Sequence, residues 1–232
     1  MPNLPEASTA LSIVIPTLNA GRTLEKCLNS VAEAKTAEVI VVDGGSFDDT
    51  IAIARRHGVR VLFAPRGRGR QLHAGAQCAT RPWLLFLHAD TVLQSGWTKE
   101  AQERLIGPEL TDRAGTFRFA LDDCDWRARV LEKLVDVRSR LFALPYGDQG
   151  LLIQRVLYTS VGGYSDLVLM EDVDLIRRIG RSRLMGLESA AVTSADRWRR
   201  GGWLRRSATN VVCLTLFQIG VAPERIARIY GR

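Results

Sequence analysis

The chain has 232 residues, of which 46% are hydrophobic and 25% charged, and this composition excludes a disordered, collagen-like or low-complexity protein. The formal net charge of +7 resides entirely in residues 197–232, where eight arginines accompany a single acid, Glu224. The rest of the chain is neutral, which argues against a nucleic-acid-binding protein. Two interpretations of the basic tail stay open: a docking site for an anionic ligand, membrane or partner, or an arginine-rich composition without functional meaning.

The cysteines and the N-terminal residues indicate the compartment. The four cysteines are widely separated and form no Cys-x-x-Cys pair, which argues against a zinc ribbon and favours reduced thiols. Residues 1–10 contain no basic, apolar run, so we expect no signal peptide. Together these features predict a cytoplasmic protein.

The first 90 residues alternate between short apolar runs and helical patterns. The apolar runs predict four buried strands, at Leu11–Ile15, Glu38–Val42, Val59–Phe63 and Trp83–Leu87. The intervening segments predict three helices, at Gly21–Val31, Asp48–Arg56 and Gln71–Ala79. This alternation predicts a parallel sheet covered on both faces, with the carboxyl ends of all its strands at one ligand-binding edge.

The second half of the chain is less regular. Strands are predicted at Ala114–Leu121 and Gly150–Gln154, and helices at Trp126–Leu141 and from Asp172 to Ile179. In the first of these helices the spacing predicts five inward-facing side chains: Val130, Leu131, Leu134, Val135 and Leu141. We expect one domain at residues 10–200, with a nucleotide-binding half at about 10–91 and an acceptor half at about 92–200.

Residues 201–232 are expected to form a basic, apolar helical extension. The apolar stretch Ser207–Ala222 is interrupted by Asn210 and Gln218, and it is shorter than the roughly 20 residues that a membrane span needs. We therefore predict no span. The stretch either packs in the core or lies in a membrane interface between its flanking arginines, which would place the protein peripherally at the inner membrane face.

Polar groups follow the predicted strands at the ligand-binding edge. Asp43 follows the second strand and can accept a hydrogen bond from a base or ribose, and Gly45 lets a ligand approach the backbone. The segment Arg66–Arg70, with sequence RGRGR, offers guanidinium groups suited to phosphate oxygens. Asp90, after the fourth strand, is an oxygen ligand of the kind that Mg²⁺ or Mn²⁺ prefers. Their coincidence predicts a nucleotide diphosphate bound with a divalent cation.

Four segments together resemble the successive motifs of family 2 glycosyltransferases: LSIVIPTLN at 11–19, VVDGGSFDDT at 41–50, WLLFLHADT at 83–91 and MEDVDL at 170–175. The resemblance covers roughly residues 11–180. It implies an α/β fold of the GT-A type, a sandwich around a mainly parallel central sheet, as a single domain with the C-terminal extension. It also implies an inverting transfer of a sugar from a nucleotide sugar, expected to be a UDP-sugar, to a hydroxyl of a small-molecule or lipid-linked acceptor. The implied cofactor is Mn²⁺ or Mg²⁺.

The resemblance also implies roles for individual residues. The donor-binding residues would be Pro16, Thr17, Asn19, Asp43, Gly45, Arg66, Arg70 and Asp90. His88-Ala89-Asp90 stands where the family has Asp-x-Asp, so the implied metal ligands are Asp90 and His88. The first carboxylate of that motif is therefore missing here.

On the acceptor side, Glu171 and Asp172 match the acidic pair of the family, which makes Asp172 the expected catalytic base. Such a base is required because an acceptor hydroxyl is a poor nucleophile until its proton is removed. Asp148 and Trp198 are further acceptor-side candidates. The acids at 171, 172 and 174 could instead stabilise a helix N-terminus through its dipole.

Three interpretations of function follow. The short length, the HADT variant, RGRGRQLHAGA and the ending RIARIYG resemble a small bacterial subgroup associated with arsenosugar biosynthesis. A nucleotidyltransferase could share the nucleotide-binding half, although the loop PTLNAGRT has only one glycine and one arginine. A catalytically degenerate GT-A binding protein is the non-enzymatic alternative, and the histidine at position 88 is its only support.

Overall fold

The computed structural model describes residues 10–106, 112–142 and 147–231, with the side chains of 140–142 excepted. The strands are β1 Leu11–Thr17, β2 Glu38–Asp43, β3 Arg60–Phe63, β4 Trp83–Phe86, β5 Thr91–Leu93, β6 Ala114–Leu121, β7 Leu151–Gln154 and β8 Leu184–Thr193. The helices are α1 Leu24–Val31, α2 Thr50–Arg56, α3 Arg68–Cys78, α4 Trp97–Arg104, α5 Trp126–Phe142, α6 Arg155–Ser160, α7 Glu171–Ile179, α8 Asp196–Gly201, α9 Trp203–Gln218 and α10 Pro223–Tyr230. Short 3₁₀ turns cover Gly147–Gln149 and Arg181–Arg183.

All eight strands belong to one sheet, in the order β3-β2-β1-β4-β7-β6-β8-β5. The first four strands along the chain run parallel, as predicted, and Val14 of β1 lies between Ile40 of β2 and Phe86 of β4. β7 is antiparallel to both of its neighbours, and β8 pairs parallel with β6 and antiparallel with β5. The predicted α/β fold with a mostly parallel sheet is therefore confirmed, and its antiparallel strands, β5 and β7, both follow β4 in the chain.

Helices cover both faces of the sheet because successive side chains of each buried strand point to opposite sides. Ile13 and Ile15 face a core cluster that includes the buried stripe of α1, whereas Val14 faces a second cluster that includes Leu72 of α3. α3 packs very closely on the sheet: a Cβ at Gly75 would lie 2.9 Å from Val42 Cγ2. Close packing of helices on both faces holds the strands in place, and with them the positions of the residues at the edge where the strands end.

The predicted inward face of α5 is wrong in part. Leu131 and Val135 pack toward the body with Ala128, but Val130 and Leu134 are 46% and 61% exposed. α5 carries two apolar stripes, and the stripe that packs beside Phe119 of β6 and Trp198 of α8 leaves the other in solvent. The side chain of Leu141 lies outside the described residues.

The two C-terminal helices pack against the body through one face. Cys213 of α9 and Ile226 of α10 are fully buried, in a cluster with Leu169 from the segment that precedes α7. No described helix is long and apolar enough to cross a membrane. The extension is thus attached beside the start of α7, while the opposite face of α9 is exposed.

Candidate active site

A cleft opens at the edge of the sheet where β4 ends and α7 begins. Its volume is about 670 Å³, including solvent at its mouth. Its walls comprise Arg68, His88, Gly147, Asp148, Leu169, Met170, Asp172, Val173, Arg197, Trp198, Arg206, Asn210 and Tyr230. Side chains from residues 10–91, from residues 92–200 and from the C-terminal extension therefore all line the cleft.

Asp172 is one of two aspartates that line the cleft. It lies in the first turn of α7, behind Met170, whose φ of 68° is unusual for a residue other than glycine. The side chain is 9% exposed, and its Oδ2 lies 3.1 Å from Arg68 Nη2 and 4.0 Å from His88 Nε2. Its Oδ1 is buried and has no hydrogen-bond partner among the described residues. One carboxylate oxygen is thus held in place by Arg68, and no described residue donates to the other.

Burial raises the pKa of Asp172 to about 7. The Arg68 guanidinium opposes this rise, whereas the neighbouring carboxyls of Glu171 and Asp148 add to it by disfavouring a further negative charge. A carboxyl that exchanges its proton near neutral pH is suited to general-base catalysis.

Arg68 is the arginine of the RGRGR segment that enters the cleft. Its Nε donates to Oε1 of Glu171, a side chain only 1% exposed, so the guanidinium bridges both acids at the start of α7. Arg66 and Arg70 are exposed, and Arg70 pairs with Asp166 at 2.5 Å. Sequence reasoning named the segment but expected Arg66 or Arg70 at the phosphates, and whether either binds a donor stays a prediction.

The side-chain directions in this segment follow from where α3 begins. Gly67 has a φ of 148°, and the helix begins directly after it at Arg68. A Cβ at Gly69 would lie 3.3 Å from that of Glu171, so the first turn of α3 is pressed against α7. Arg68 therefore faces the cleft, and Arg70 turns to solvent.

Asp43 organises the loop at the ends of β1 and β2. Its carboxylate accepts hydrogen bonds from the backbone N–H groups of Gly45 and Ser46 and from the hydroxyls of Thr17 and Ser46, at 2.5–3.0 Å. Burial would raise the pKa of Asp43, but these four donors hold it below its usual value. The residue is fully buried, so both of its oxygens are engaged within the protein.

Asn19 ties the same two loops together. Its backbone N–H donates to Ser46 Oγ at 2.8 Å, and its Oδ1 accepts from the Phe47 N–H at 3.0 Å. Pro16, next to Thr17 on β1, lies at the same edge. None of these donor-side candidates lines the cleft, so Asp43 and Asp172 occupy neighbouring parts of the edge rather than one cavity.

Asp90 connects to the cleft through Arg197. Arg197 Nη2 lies 3.5 Å from Asp90 Oδ2, and the Asp90 side chain is 25% exposed. His88, two residues earlier, is mostly buried beside Asp172. Across residues 10–106, 112–142 and 147–231, no group of three or more potential ligands could hold a metal ion by itself. Asp90 offers a carboxylate oxygen of the kind that Mg²⁺ or Mn²⁺ binds beside substrate phosphates and water, and whether Asp90 and His88 hold such an ion stays a prediction.

Asp148 and Trp198 both line the cleft. Burial raises the pKa of Asp148, and its Oδ1 has no hydrogen-bond partner in the described part of the chain. Trp198 is 8% exposed and packs against Phe119 with ring centroids 6.3 Å apart. Its ring is thus largely part of the core, which limits how far it can stack on a ligand.

Sequence reasoning missed the contribution of the C-terminal helices to the cleft. Arg206 and Asn210 of α9 and Tyr230 of α10 line it. A signal was present, because Asn210 interrupts the most apolar stretch of the chain. A polar residue at such a position commonly faces a partner or a cavity.

The family model described as glycosyl transferase family 2 matches residues 12–164. A PGL/p-HBAD biosynthesis glycosyltransferase of Mycobacterium bovis is 27% identical over 238 residues, which cover 83% of this chain and 92% of that relative. These findings confirm the predicted family and favour a glycosyltransferase over the nucleotidyltransferase and binding-protein alternatives.

Solved structures share the fold. Glucosyl-3-phosphoglycerate synthase from Mycobacterium tuberculosis, in complex with Mn²⁺ and uridine-diphosphate-glucose, matches with a TM-score of 0.61 and 19% identity over 93% of this chain and 82% of that one. Residues 1–349 of S. aureus TarS match with a TM-score of 0.60 and 14% identity over 94% of this chain and 68% of that one. At these identities the likeness establishes the GT-A fold.

Proposed function

The chain belongs to glycosyl transferase family 2 and is a glycosyltransferase, and we propose that it transfers a sugar from a UDP-sugar to an acceptor hydroxyl with inversion at the anomeric carbon. The observation that carries this proposal is the Asp172 carboxyl, which is buried in the cleft with one oxygen that has no partner among the described residues. The structural relative with Mn²⁺ and uridine-diphosphate-glucose supports the choice of donor.

Asp172 is the proposed general base. The acceptor hydroxyl would donate to its Oδ1 and lose its proton to that oxygen while the hydroxyl oxygen bonds to the anomeric carbon. The bond from that carbon to the diphosphate oxygen breaks on the opposite face, which inverts the configuration. Arg68, 3.1 Å from Oδ2, holds the carboxylate in position throughout.

The donor is proposed to bind along the loops that end β1 and β2. Pro16, Thr17 and Asn19 would line the nucleotide pocket and Asp43 would hold the base, with Gly45 giving close backbone access. Because four donors already occupy Asp43, a base N–H would have to replace one of the two hydroxyl donors. Arg66 or Arg70 would approach the phosphates from the exposed start of α3.

Asp90 and His88 are the residues proposed to hold the divalent cation. When bound, Mg²⁺ or Mn²⁺ supplies charge that stabilises the leaving diphosphate. Arg197, now 3.5 Å from Asp90, brings a further positive charge to the same place. Asp148 and Glu171 would shape the acceptor side, and Trp198 would border it.

The proposed organisation keeps residues 10–200 as the transferase domain, with a donor half at 10–91 and an acceptor half at 92–200.

The likeness of HADT, RGRGRQLHAGA and RIARIYG to the arsenosugar-associated subgroup supports a role in arsenosugar biosynthesis as a finer proposal. A lipid-linked acceptor is the other finer proposal, and the surface of α9 supports it.

We propose that the exposed face of α9 docks on an anionic lipid bilayer. Leu204, Val211 and Ile219 are 87%, 63% and 71% exposed, and the helix contains no acidic residue. Arg225 and Arg228 on α10 are also exposed. An apolar helix face flanked by arginines has the charge and hydrophobicity that an anionic membrane interface binds.

The proposed function is tested by thermal unfolding with a panel of nucleotide diphosphates and nucleotide sugars, with and without Mn²⁺. A ligand that binds only the folded state raises the unfolding midpoint. We expect UDP and UDP-sugars to raise it only when Mn²⁺ is present. The effective donor should then release UDP slowly as its sugar is transferred to water, the hydroxyl compound present in the assay. A rise without any UDP release would favour the degenerate binding protein, and no rise with any nucleotide would contradict the proposal.

A further inference from the structure

The C-terminal helices supply one wall of the cleft. Arg206 and Asn210 lie four residues apart on α9, which places both on one face of the helix. Tyr230, from the last turn of α10, stands beside Arg206 in the same wall. This wall lies outside residues 12–164, which the family model matches.

Among the described residues, no carboxylate balances the charge of Arg206. Arg68 pairs with Glu171 and Asp172, and Arg197 pairs with Asp90, but no acidic side chain of the described residues lies in ion-pair range of Arg206. Its guanidinium donates to the Tyr230 hydroxyl instead. An arginine that lines a cleft without a carboxylate partner is available to an anionic ligand.

Tyr230 fixes the orientation of that guanidinium. The Arg206 Cζ atom lies 4.2 Å from the centroid of the Tyr230 ring, a cation–π contact. Because the ring covers one face of the planar guanidinium, N–H groups along the guanidinium edge stay available to a ligand. These N–H groups form a fork whose geometry matches two oxygens of a phosphate or carboxylate. Asn210, one turn further along α9, adds an amide that can donate or accept a hydrogen bond.

We propose that Arg206 and Asn210 form an acceptor subsite that binds a phosphate or carboxylate group of the acceptor. The proposal rests on the proposed function and deepens it, because it names the chemical class of the acceptor. The subsite belongs to the acceptor because α9 and α10 pack on Leu169, three residues before the proposed base. The proposed nucleotide-binding loops at the ends of β1 and β2 do not line this cleft.

The subsite also makes the C-terminal helices part of the enzyme's binding site. Burial of Cys213 and Ile226 against Leu169 fixes the wall relative to the start of α7. An acceptor anion held by Arg206 would therefore be held at a set distance from Asp172. Correct placement of the reacting hydroxyl contributes strongly to rate.

The test is calorimetric titration of the full chain, with UDP and Mn²⁺ present, using glycerol 3-phosphate, glycerate and uncharged glycerol. Wild type is compared with Arg206→Gln and with the control Arg205→Gln, which removes an exposed arginine from the same helix. We expect the two anions to bind and glycerol not to bind, and Arg206→Gln to weaken anion binding about tenfold or more while leaving UDP affinity unchanged. Arg205→Gln should bind like wild type. Water-soluble dihexanoyl phosphatidic acid distinguishes a lipid acceptor from a small soluble one. Tighter binding of this lipid than of glycerol 3-phosphate indicates a lipid acceptor, and weaker binding indicates a small soluble acceptor.

Three results would overturn the subsite. These are failure of both anions to bind wild type at millimolar concentration, an equal loss in the two arginine variants, or a loss of UDP affinity in Arg206→Gln. The last result would assign Arg206 to the donor diphosphate. Failure of UDP itself to bind wild type would instead count against the proposed function, and anion binding without nucleotide would still report on the subsite.

Discussion

Replacing Gly147 by alanine perturbs the proposed base without altering its chemistry. Gly147 belongs to the short turn before β7 and lies directly against the Asp172 carboxyl. A Cβ at position 147 would lie 2.5 Å from Asp172 Cγ and 2.7 Å from its Oδ1. Carbon atoms in contact are separated by about 3.5 Å or more, so the carboxyl would have to move by about 1 Å.

A displacement of about 1 Å in a catalytic group costs about 100-fold in rate, so we expect Gly147→Ala to reduce kcat by about that factor. The affinity for UDP with Mn²⁺ should be unchanged, because the loops at the ends of β1 and β2 lie elsewhere along the edge. The assay is UDP release from the donor found in the thermal panel, combined with titration of UDP.

Gly186→Ala is the matched control. Gly186 lies on β8, and a Cβ there would meet no atom within 4 Å. This variant should retain wild-type activity. If Gly147→Ala is as active as Gly186→Ala and unfolds at the same temperature, the geometry assigned to Asp172 is wrong.

Three further predictions concern pH, metal and membrane. The ionised form of Asp172 is the proposed base, and burial raises the pKa of this carboxyl to about 7. We therefore expect kcat/KM to increase with pH up to about 8, with its half-maximum near pH 7. A kcat/KM that does not change from pH 5 to 8 would contradict this. Asp90→Ala should weaken UDP binding in the presence of Mn²⁺ by about tenfold or more, toward the level that wild type shows without metal, and superimposable titrations of the two proteins with Mn²⁺ would exclude Asp90 as a ligand. Val211→Glu should reduce cosedimentation of the protein with phosphatidylglycerol vesicles. The control Val156→Glu, at an exposed valine of α6, should not reduce it. Equal binding of the two variants to the vesicles would show that α9 does not contact the membrane.

The first half of the fold could be predicted because its signals are local. Each strand from β1 to β4 is a β-branched or apolar run, and α1 carries its buried stripe at three- and four-residue spacing. The motifs after these strands then fall at one edge of the sheet by topology alone. This is why the parallel pairing of these strands and the place of His88 and Asp90 after β4 followed from the sequence.

The remaining features depend on how elements rotate against each other. α5 has two apolar stripes, and periodicity alone does not decide which stripe packs against the body. The spacing therefore predicts Val130 and Leu134 as inward-facing, although both side chains are exposed. Similarly, the start of α3 decides that Arg68 rather than Arg70 faces the cleft. The contribution of Arg206 requires that α9 packs beside the start of α7, a contact between distant parts of the chain.

The loop around Asp43 shows a further limit. The sequence places this acid at the end of β2, but it does not show that four donors from the two adjoining loops engage its oxygens. Such internal hydrogen bonds depend on the left-handed conformation of Gly45, with a φ of 95°. The proposed role of Asp43 in holding the base therefore requires one of its hydroxyl partners to be replaced, and a sequence pattern does not show these partners.

The turnover of Asp172→Asn measured beside its affinity for UDP is the most direct test of the central claim. The amide cannot take the acceptor proton, so transfer should decrease by about 10²- to 10⁴-fold while UDP binds with wild-type affinity. Asp174→Asn, in the same turn but paired with Arg178 and Ser165, should transfer at nearly the wild-type rate. Undiminished turnover by Asp172→Asn would show that another group accepts the proton.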